Sequence, residues 1–213
     1  MSEVRGYQAK KPIQSSEEVQ SILGEKFESQ EKKAIDHIDE ICRAWIERSP
    51  FITIATVNRA GQMDVAPKGD PAGFVKVIDD KTLAIPDRLG NHRGDTFHNI
   101  IDNPRIGLMF VVPLRNEVVR VSGSAQIVQD DELLDTMIVN DKRPDMAILV
   151  RVEEAMYHCG KSMIRSTMWK PEEWASIEGI PSYALAVKTH AEMPEPLDYY
   201  EAMMKYNDEE RLY

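Results

Sequence analysis

Cysteine is scarce in this sequence, and long apolar runs are absent. The chain has only two cysteines in 213 residues, Cys42 and Cys159, too few for a disulfide scaffold. They are also too isolated in sequence to suggest a zinc site, and we expect no bound metal. No stretch approaches the roughly 20 apolar residues of a membrane span, and the start of the chain lacks the apolar core of a secretion signal. We therefore expect a cytoplasmic protein with reduced thiols and no membrane partner.

Positive charge is also in short supply. The 26 lysines and arginines are outnumbered by 36 aspartates and glutamates, which gives a formal net charge of −10 at pH 7. A protein that binds nucleic acid needs a broad basic surface to meet the phosphate backbone, so we expect no nucleic-acid partner. The length suits one globular domain with a buried core and leaves room for terminal arms.

Helical patterns are clearest before residue 50. Residues 15–18, Ser-Ser-Glu-Glu, fit a capping box and predict a short helix over residues 19–23. From residue 32 to residue 48, apolar side chains recur at every third or fourth position, which predicts a helix with one buried face. Cys42 falls on that face and is expected to be an unreactive core residue. Pro50 ends the predicted helix, because proline disfavours helical geometry in the residue before it.

The middle of the chain has the pattern of short β-strands. Strands are predicted at residues 51–57, 62–66, 73–78, 82–85, 106–112, 118–128 and 146–157, with a weaker one at 183–188. Gly123 lies in the middle of one segment, where glycine is typical of a bulge or a tight barrel bend. Most of these strands are linked as hairpins, without an alternating βαβ rhythm. We predict a mainly β protein with helices (α+β), an antiparallel barrel rather than a Rossmann sheet.

Residues 87–104, DRLGNHRGDTFHNIIDNP, carry the densest local chemistry. Two arginines, an asparagine and a histidine crowd around two glycines there: Arg88, Asn91, His92 and Arg93 around Gly90 and Gly94. Guanidinium groups bind phosphate bidentately, and glycines followed by a helix start bring backbone amides close to an anion. The segment therefore predicts an anion site between the strand at 82–85 and an amphipathic helix at 96–101. A surface turn with ordinary solvated arginines is the alternative.

Four motifs occur in the order found in one protein family. They are SPFITIATV from Ser49, DVAPKGD from Asp64, GFVKVIDDKTLAIPDRLGNHR from Gly73 and NPRIGLMF from Asn103. Together they resemble the FMN-binding split barrel of the pyridoxamine 5'-phosphate oxidase-like flavoproteins. The later HCGKSMIRSTMW, residues 158–169, resembles the segment that completes the site in one branch of that superfamily. The resemblance implies an antiparallel split β-barrel with flanking helices.

The polar, weakly patterned start of the chain and the resemblance together predict how the chain is organised. An N-terminal arm with a short helix would occupy residues 1–30, the FMN-binding split-barrel domain residues 31–190 and a C-terminal tail residues 191–213. The protein would be a homodimer that binds FMN non-covalently, with each cofactor site shared between the two subunits. Its chemistry would be the transfer of a hydride or electrons between the flavin and an unknown small-molecule substrate.

Individual residues take roles from the same resemblance. The flavin phosphate would be bound by Arg88 and Arg93, with Asn91 and His92 in the same turn. The isoalloxazine ring would lie along the strand Asp64, Val65, Ala66, Pro67 and Lys68. Backbone amides of this strand would hydrogen-bond the pyrimidine edge of the ring, and the Lys68 ammonium would lie near N1 or O2. The flavin tail would be contacted by Ile85 and Pro86, and the cofactor would be closed over by Lys161, Arg165 and Trp169 of the second subunit. No catalytic side chain is assigned.

Purely structural roles, without a cofactor, are alternatives for some of these residues. Lys68 would also suit an exposed turn, and Trp169 could serve as a hydrophobic staple of the next helix. His158 and Cys159 are adjacent, so on a strand they point to opposite faces and do not form a base–nucleophile pair. His158 is expected to be a polar contact near the flavin, or a ligand if the protein binds haem.

The chain departs from the family's oxidase at two motifs. Residues 64–68 stand where that enzyme has R-x-V-L-L-K, and the ending ERLY shares little with its C-terminal substrate motif. The cofactor therefore carries over better than the oxidation of pyridoxamine phosphate. The alternatives are a non-catalytic storage or sensor protein for flavin or haem, an interaction domain that has lost its cofactor, and a deazaflavin user.

Overall fold

Seven strands lie in the part of the chain that the computed structural model describes, residues 9–213, and all of them join one antiparallel sheet. They are β1 (Phe51–Val57), β2 (Met63–Gly69), β3 (Lys76–Val77), β4 (Thr82–Pro86), β5 (Arg105–Val111), β6 (Val118–Val128) and β7 (Ala147–His158). The order β2-β1-β5-β6-β7-β4-β3 puts β2 and β3 at the two edges. The strands predicted between residues 51 and 157 are confirmed, except that only Lys76 and Val77 of the segment predicted at 73–78 are in a strand. The α+β class with an antiparallel sheet is confirmed as well.

Alternate residues of the strands point into one hydrophobic core. Ile52 and Ile54 of β1 are fully buried there, and Leu108 and Phe110 of β5 are buried beside them. Each such side chain contributes about 1.5–3 kcal/mol through burial. Trp45 packs in the same core and donates its indole N–H to the Phe110 carbonyl oxygen at 3.1 Å, so this buried donor is satisfied.

The pairing of β6 with β7 slips at Gly123. The register shifts between Ser122 and Gly123, which confirms the bulge predicted at this glycine. A Cβ atom on Gly123 would lie 1.9 Å from the Arg151 carbonyl oxygen, so the two backbones can approach this closely only because residue 123 has no side chain. The bulge allows two strands of 11 and 12 residues to bend around the core.

The described residues form two compact units, one ending at residue 34 and the other covering residues 35–213. The first contains α1 (Ser16–Leu23) and α2 (Glu28–Lys32). Ser15 caps α1, because its hydroxyl oxygen accepts the Glu18 N–H at 3.1 Å, and the helix predicted from the capping box is confirmed. Residues 1–8 of the predicted N-terminal arm lie outside the described residues. The predicted boundaries at residues 30 and 190 stay predictions.

The helix predicted over residues 32–48 is wrong in its first half. The helix α3 covers only Glu40–Ile46. Ile35 instead forms an isolated antiparallel bridge with Ala155, with N–H···O distances of 3.0 and 2.7 Å, so a long-range contact overrides the local helical pattern. Asp39 starts α3 by accepting the Cys42 N–H at 2.8 Å. Cys42 is buried as predicted, and burial raises the pKa of its thiol to about 12.

Five more helices lie in the second unit: α4 (Asp95–Asp102), α5 (Asp131–Asp135), α6 (Lys161–Arg165), α7 (Tyr183–His190) and α8 (Leu197–Glu210). α4 lies against β1, β2 and β6 and buries Thr96 and Ile100. The strand predicted at residues 183–188 is wrong, because these residues form α7. Ser182 begins that helix by accepting the Leu185 N–H on its hydroxyl oxygen at 3.2 Å.

We predict that Gly123→Ala destabilises the fold by about 3 kcal/mol or more, because the new methyl group would overlap the Arg151 carbonyl oxygen. Gly107→Ala in β5 is the matched control, since its Cβ atom would lie 3.9 Å from the Ala55 Cβ atom, an ordinary contact. Urea denaturation measures the free energy of unfolding of both variants. Equal losses would mean that the bulge accommodates a side chain.

Candidate functional site

One face of the edge strand β2 lies against the first turn of α4. Asp64 and Lys68 share that face, because side chains alternate along a strand, and both residues are half-buried. The Thr96 hydroxyl donates to Asp64 Oδ2 at 3.0 Å. Lys68 Nζ lies 5.2 Å from the centroid of the Phe97 ring, within the range of a cation–π contact. The strand that is predicted to lie along the flavin ring, β2, is therefore held next to the start of α4.

An ion pair ties β2 to the loop that follows β4. Lys68 Nζ lies 3.1 Å from Asp87 Oδ1, and both side chains are largely buried. An ammonium group has three N–H donors, so the contact with Asp87 leaves donors of Lys68 for another acceptor. The charge of Lys68 is thus fixed in place beside β2 rather than carried on a free surface turn.

Arg88 is bound from several sides. Its Nε donates to Asp70 Oδ2 at 2.6 Å, and its Nη2 donates to the Met137 carbonyl oxygen at 2.7 Å. The Tyr213 hydroxyl donates to the second oxygen of the same carboxylate, Asp70 Oδ1, at 2.6 Å. Arg88 Cζ also lies 5.8 Å from the centroid of the Tyr213 ring. We call Asp70, Arg88, Met137 and Tyr213 the Arg88 cluster.

The Arg88 cluster is almost closed to solvent. The Asp70 side chain is 1% exposed and the Arg88 side chain 14% exposed. Its members come from the end of β2, the loop after β4, the segment after α5 and the chain beyond α8. The Asp70 carboxylate accepts a hydrogen bond from the Tyr213 hydroxyl and thereby raises the pKa of that phenol.

Arg93 is held much more loosely than Arg88. Its side chain is 72% exposed, and its Nε donates to Asp95 Oδ2 at 2.7 Å. That carboxylate raises the pKa of Arg93. The side-chain oxygen of Asn91 accepts the Arg93 backbone N–H at 3.0 Å, which shapes the turn. Arg93 and Asn91, which are predicted to bind an anion, are therefore exposed to solvent in this turn.

The turn that presents Arg93 leads directly into α4. His92 and Gly94 both have left-handed backbones, with φ of 59° and 68°. Gly94 is the N-cap of α4, and within residues 9–213 no side chain caps this end of the helix. The first amides of α4 are therefore free of a side-chain acceptor, as a phosphate site requires. The residues present fit the phosphate of a flavin nucleotide.

The other residues predicted on β2 and β4 differ in their exposure. Val65 and Pro67 occupy the face of β2 opposite to Lys68 and are exposed. Ala66 shares the half-buried face. Ile85 and Pro86 are buried, and the Ile85 side chain is part of the main core. Their predicted contacts with FMN stay predictions.

Lys161, Arg165 and Trp169 are not brought to the loop after β4 within one chain. Pro86 pairs with Ala147 at the first end of β7, and α6 follows the other end, where His158 pairs with Val118. Lys161 and Arg165 are the first and last residues of α6, and both are exposed. The Trp169 indole N–H donates to the Arg115 carbonyl oxygen at 2.7 Å. The two groups of predicted residues therefore lie at opposite ends of a 12-residue strand.

His158 differs from the other residues at that end. Its Nδ1 atom is buried and has no hydrogen-bond partner among residues 9–213. The neighbouring Cys159 is exposed. No group of three metal-ligating side chains occurs in the described part of the chain. Over the same residues, no helix has the length and apolar character needed to cross a bilayer.

A cavity of about 830 Å³ lies elsewhere, on the outer side of β6 and β7. It is lined by Lys81, Gln126 and Arg151, among others, and by none of the predicted site residues. Its charged groups are mostly paired, since Lys81 contacts Asp36 and Arg105 contacts Glu153. The cavity therefore adds nothing to the chemistry around Lys68 and Arg93.

A family model for pyridoxamine 5'-phosphate oxidase matches residues 38–159, more than half of the chain. The chain belongs to the pyridoxamine 5'-phosphate oxidase family. The resemblance found in the sequence motifs is thereby confirmed, and the antiparallel sheet with its flanking helices is the split barrel predicted from them.

Several solved structures are similar to this family member. One is HupZ of Group A Streptococcus, with 24% identity and a TM-score of 0.47 over 56% of this chain and 93% of that chain. General stress protein 26 of Bacillus anthracis has 16% identity and a TM-score of 0.44 over 54% and 88%. An FMN-binding protein of Syntrophomonas wolfei has 15% identity and a TM-score of 0.42 over 55% and 88%. No curated protein matches the chain.

Sequence reasoning missed the acidic partners of the site and the phenol beyond α8. Asp87 and Asp70 stand one and two residues from predicted ligands, inside two of the motifs that carry the family resemblance. The proximity of these aspartates to Lys68 and Arg88 in the sequence could have indicated that they pair with basic residues of the site. Tyr213 had no signal, because its contact with Asp70 spans 143 positions of the sequence.

We predict that the two arginines of this family member differ sharply in their effect on stability. Arg88→Ala should lower the free energy of unfolding by about 3–5 kcal/mol, because it leaves the buried Asp70 carboxylate without its cation. Arg93→Ala should change it by about 0.5 kcal/mol or less, because an exposed ion pair contributes little. Urea denaturation without added ligand measures both. Similar losses in the two variants would contradict the distinction.

Proposed function

We propose that this chain is an FMN-binding flavoprotein that acts as an oxidoreductase on a small substrate still to be identified. The observation that carries the proposal is the loop after β4, where exposed Arg93 leads into an uncapped start of α4 and Lys68 on β2 contacts Phe97 in the first turn of that helix. Membership of the pyridoxamine 5'-phosphate oxidase family supports the choice of a flavin. The cytoplasmic location and the absence of a nucleic-acid partner stay predictions from composition.

The phosphate of FMN would be held mainly by Arg93, with Asn91, His92 and the first amides of α4. An exposed pair such as Arg93–Asp95 contributes about 0–1 kcal/mol, so a phosphate can replace the carboxylate at little cost. Arg88 would contribute from its anchored position through Nη1, the guanidinium nitrogen without a hydrogen-bond partner in residues 9–213. The positive charge of these groups suits a dianionic ligand on an otherwise acidic chain.

The ring of FMN would lie along β2. Among residues 9–213 this strand pairs with β1 alone, so its outer edge has backbone groups outside the ladder that can meet the pyrimidine edge of a flavin. Lys68 would hold a positive charge near that edge, with Asp87 fixing the position of Nζ. Bound FMN would supply the hydride or electron transfer itself, and the protein would supply orientation and charge.

We also propose that the protein is a homodimer and that each site is completed by the second subunit. Lys161, Arg165 and Trp169 follow the far end of β7 from the loop that contains Arg93. A two-fold pair of chains can bring these two ends together, because each subunit offers both of them. The shared site in the family resemblance supports the same arrangement.

The outer face of the sheet offers a surface for that contact. Val65, Ala55, Gly107 and Ser122 form one row across β2, β1, β5 and β6 on the side away from the core. These four residues are small or apolar, and the row continues on β7 with Glu154, which pairs with Ser122. Val65 is 65% exposed in the single chain, which is unusual for an apolar residue at the centre of a strand.

The first test is the absorption spectrum of the purified protein, with mass identification of the released ligand. We expect bands near about 375 and 450 nm and release of FMN. A Soret band would favour the second candidate, a haem-binding protein, with His158 as the first ligand to examine because of its unpartnered Nδ1. A colourless protein that does not take up added FMN would refute flavin binding.

The phosphate site is tested by Arg93→Ala. We predict that this variant binds FMN about 10- to 100-fold more weakly, because it loses charge-assisted hydrogen bonds, while its stability is unchanged. Arg105→Ala is the control, since Arg105 is another exposed arginine in an ion pair and lies outside the candidate site. Flavin fluorescence titration measures both affinities. Undiminished affinity in Arg93→Ala would remove this residue from the phosphate site.

The dimer is tested by Val65→Glu. We predict that a buried charge on this face converts the dimer to a monomer and weakens FMN binding with it. Ile101→Glu on α4 is the matched control, because Ile101 is 75% exposed and lies away from the row around Val65. Size-exclusion chromatography with light scattering gives the oligomeric state. A Val65→Glu variant that stays dimeric would place the interface elsewhere.

A further inference from the structure

We propose that Tyr213 is a positioning residue for the cofactor loop, residues 87–94, and acts on it through Asp70 and Arg88. Tyr213 lies beyond α8, and its hydrogen bond and its ring contact are with Asp70 and Arg88, so we expect its effect on a ligand held by Arg93 and α4 to be indirect. Because the loop binds a cofactor only if the proposed function holds, the ligand-binding part of this role rests on that function.

The first step is the requirement of the Asp70 carboxylate. Asp70 is 1% exposed, so both of its oxygens need donors from the protein. Arg88 Nε supplies the donor to Oδ2 and the Tyr213 hydroxyl the donor to Oδ1. Without the phenol, Oδ1 would lose this donor, and the Arg88 guanidinium, which already donates to Oδ2 of the same carboxylate, could turn to satisfy it.

The second step is the position of Arg88. A guanidinium that turned to satisfy both oxygens of Asp70 would weaken or lose its bond from Nη2 to the Met137 carbonyl oxygen. Tyr213 therefore keeps Arg88 in an arrangement that serves two partners at once. The Tyr213 ring, 5.8 Å from Cζ, also covers this guanidinium and helps to exclude water from it.

The third step leads from Arg88 to the ligand. Arg88 stands at the beginning of the loop, five residues before Arg93, and the intervening chain includes Gly90 and the left-handed His92. A loop with such a flexible middle depends on its anchored ends, Arg88 and the start of α4. Loosening the Arg88 end should increase the motion of the loop, so that ordering it for a phosphate costs more entropy.

The experiment compares Tyr213→Phe with Tyr206→Phe. The first substitution removes the hydroxyl but keeps the ring over Arg88. Tyr206 is the matched control, because it is a 57% exposed tyrosine on α8. Three quantities are measured: hydrogen exchange of peptides from residues 87–94 and from β1 and β5, the melting temperature, and the FMN dissociation constant.

We expect Tyr213→Phe to speed exchange in residues 87–94 while exchange in β1 and β5 stays unchanged. The FMN dissociation constant should rise about three- to ten-fold, and the melting temperature should fall by only about 2–4 °C, because one hydrogen bond is lost when Arg88 turns to satisfy Oδ1. Tyr206→Phe should leave all three quantities unchanged. A merely structural role would lower the melting temperature and alter exchange throughout the sheet, without a local effect on the loop.

Unchanged exchange in residues 87–94 of Tyr213→Phe would overturn the proposal, whatever the flavin affinity. A collapse of the melting temperature would also overturn it, because the tyrosine would then support the fold as a whole. If the unaltered protein binds no flavin but the variant shows faster loop exchange, the positioning role stands and the proposed function fails. The two failures are therefore distinguishable.

Discussion

The candidate site depends on the burial of one carboxylate, that of Asp70. A carboxylate removed from water must keep donors on its oxygens, because an uncompensated buried charge costs several kcal/mol. In this protein the donors come from Arg88, just after β4, and from Tyr213, beyond α8. The Asp70 carboxylate therefore holds together the end of β2, the loop after β4 and the last part of the described chain. The position of the loop is set by the hydrogen bond that Arg88 donates to this carboxylate.

The cations of the site differ in how tightly the protein holds them. Arg88 is buried in its ion pair, Lys68 is partly buried in its pair with Asp87, and Arg93 is exposed. Coulomb attraction is weakest where water screens it, so an incoming anion displaces the partner of Arg93 far more easily than that of Arg88. This gradient explains how an acidic chain can still offer an anion site: Arg93 is the cation most easily released to a ligand, whereas Arg88 and Lys68 keep their carboxylate partners and could meet a ligand only through their remaining N–H donors.

Features that depend on neighbours in sequence could be predicted, and features that depend on distant residues could not. The strands followed from alternating burial, and the loop after β4 was recognisable because basic residues crowd around glycines there. The helix expected from residue 32 failed because Ile35 pairs with the distant Ala155. The strand expected at residues 183–188 is an exception to this rule, because the Ser182 cap that begins α7 is a local signal and the sequence pattern was misassigned there. The contact of Tyr213 with Asp70 joins residues 143 positions apart, and no local pattern reports it.

The geometry of β7 separates what one chain does from what a pair of chains would do. The Arg88 cluster, Lys68 and Arg93 are assembled inside a single chain, at the end of β7 where Ala147 pairs with Pro86. The residues after His158 stand at the other end. In the proposed dimer the first group would bind the phosphate and orient the ring, and the second would cover them. The loop contribution to affinity is then a property of the folded chain, whereas the covering contribution depends on the concentration of subunits.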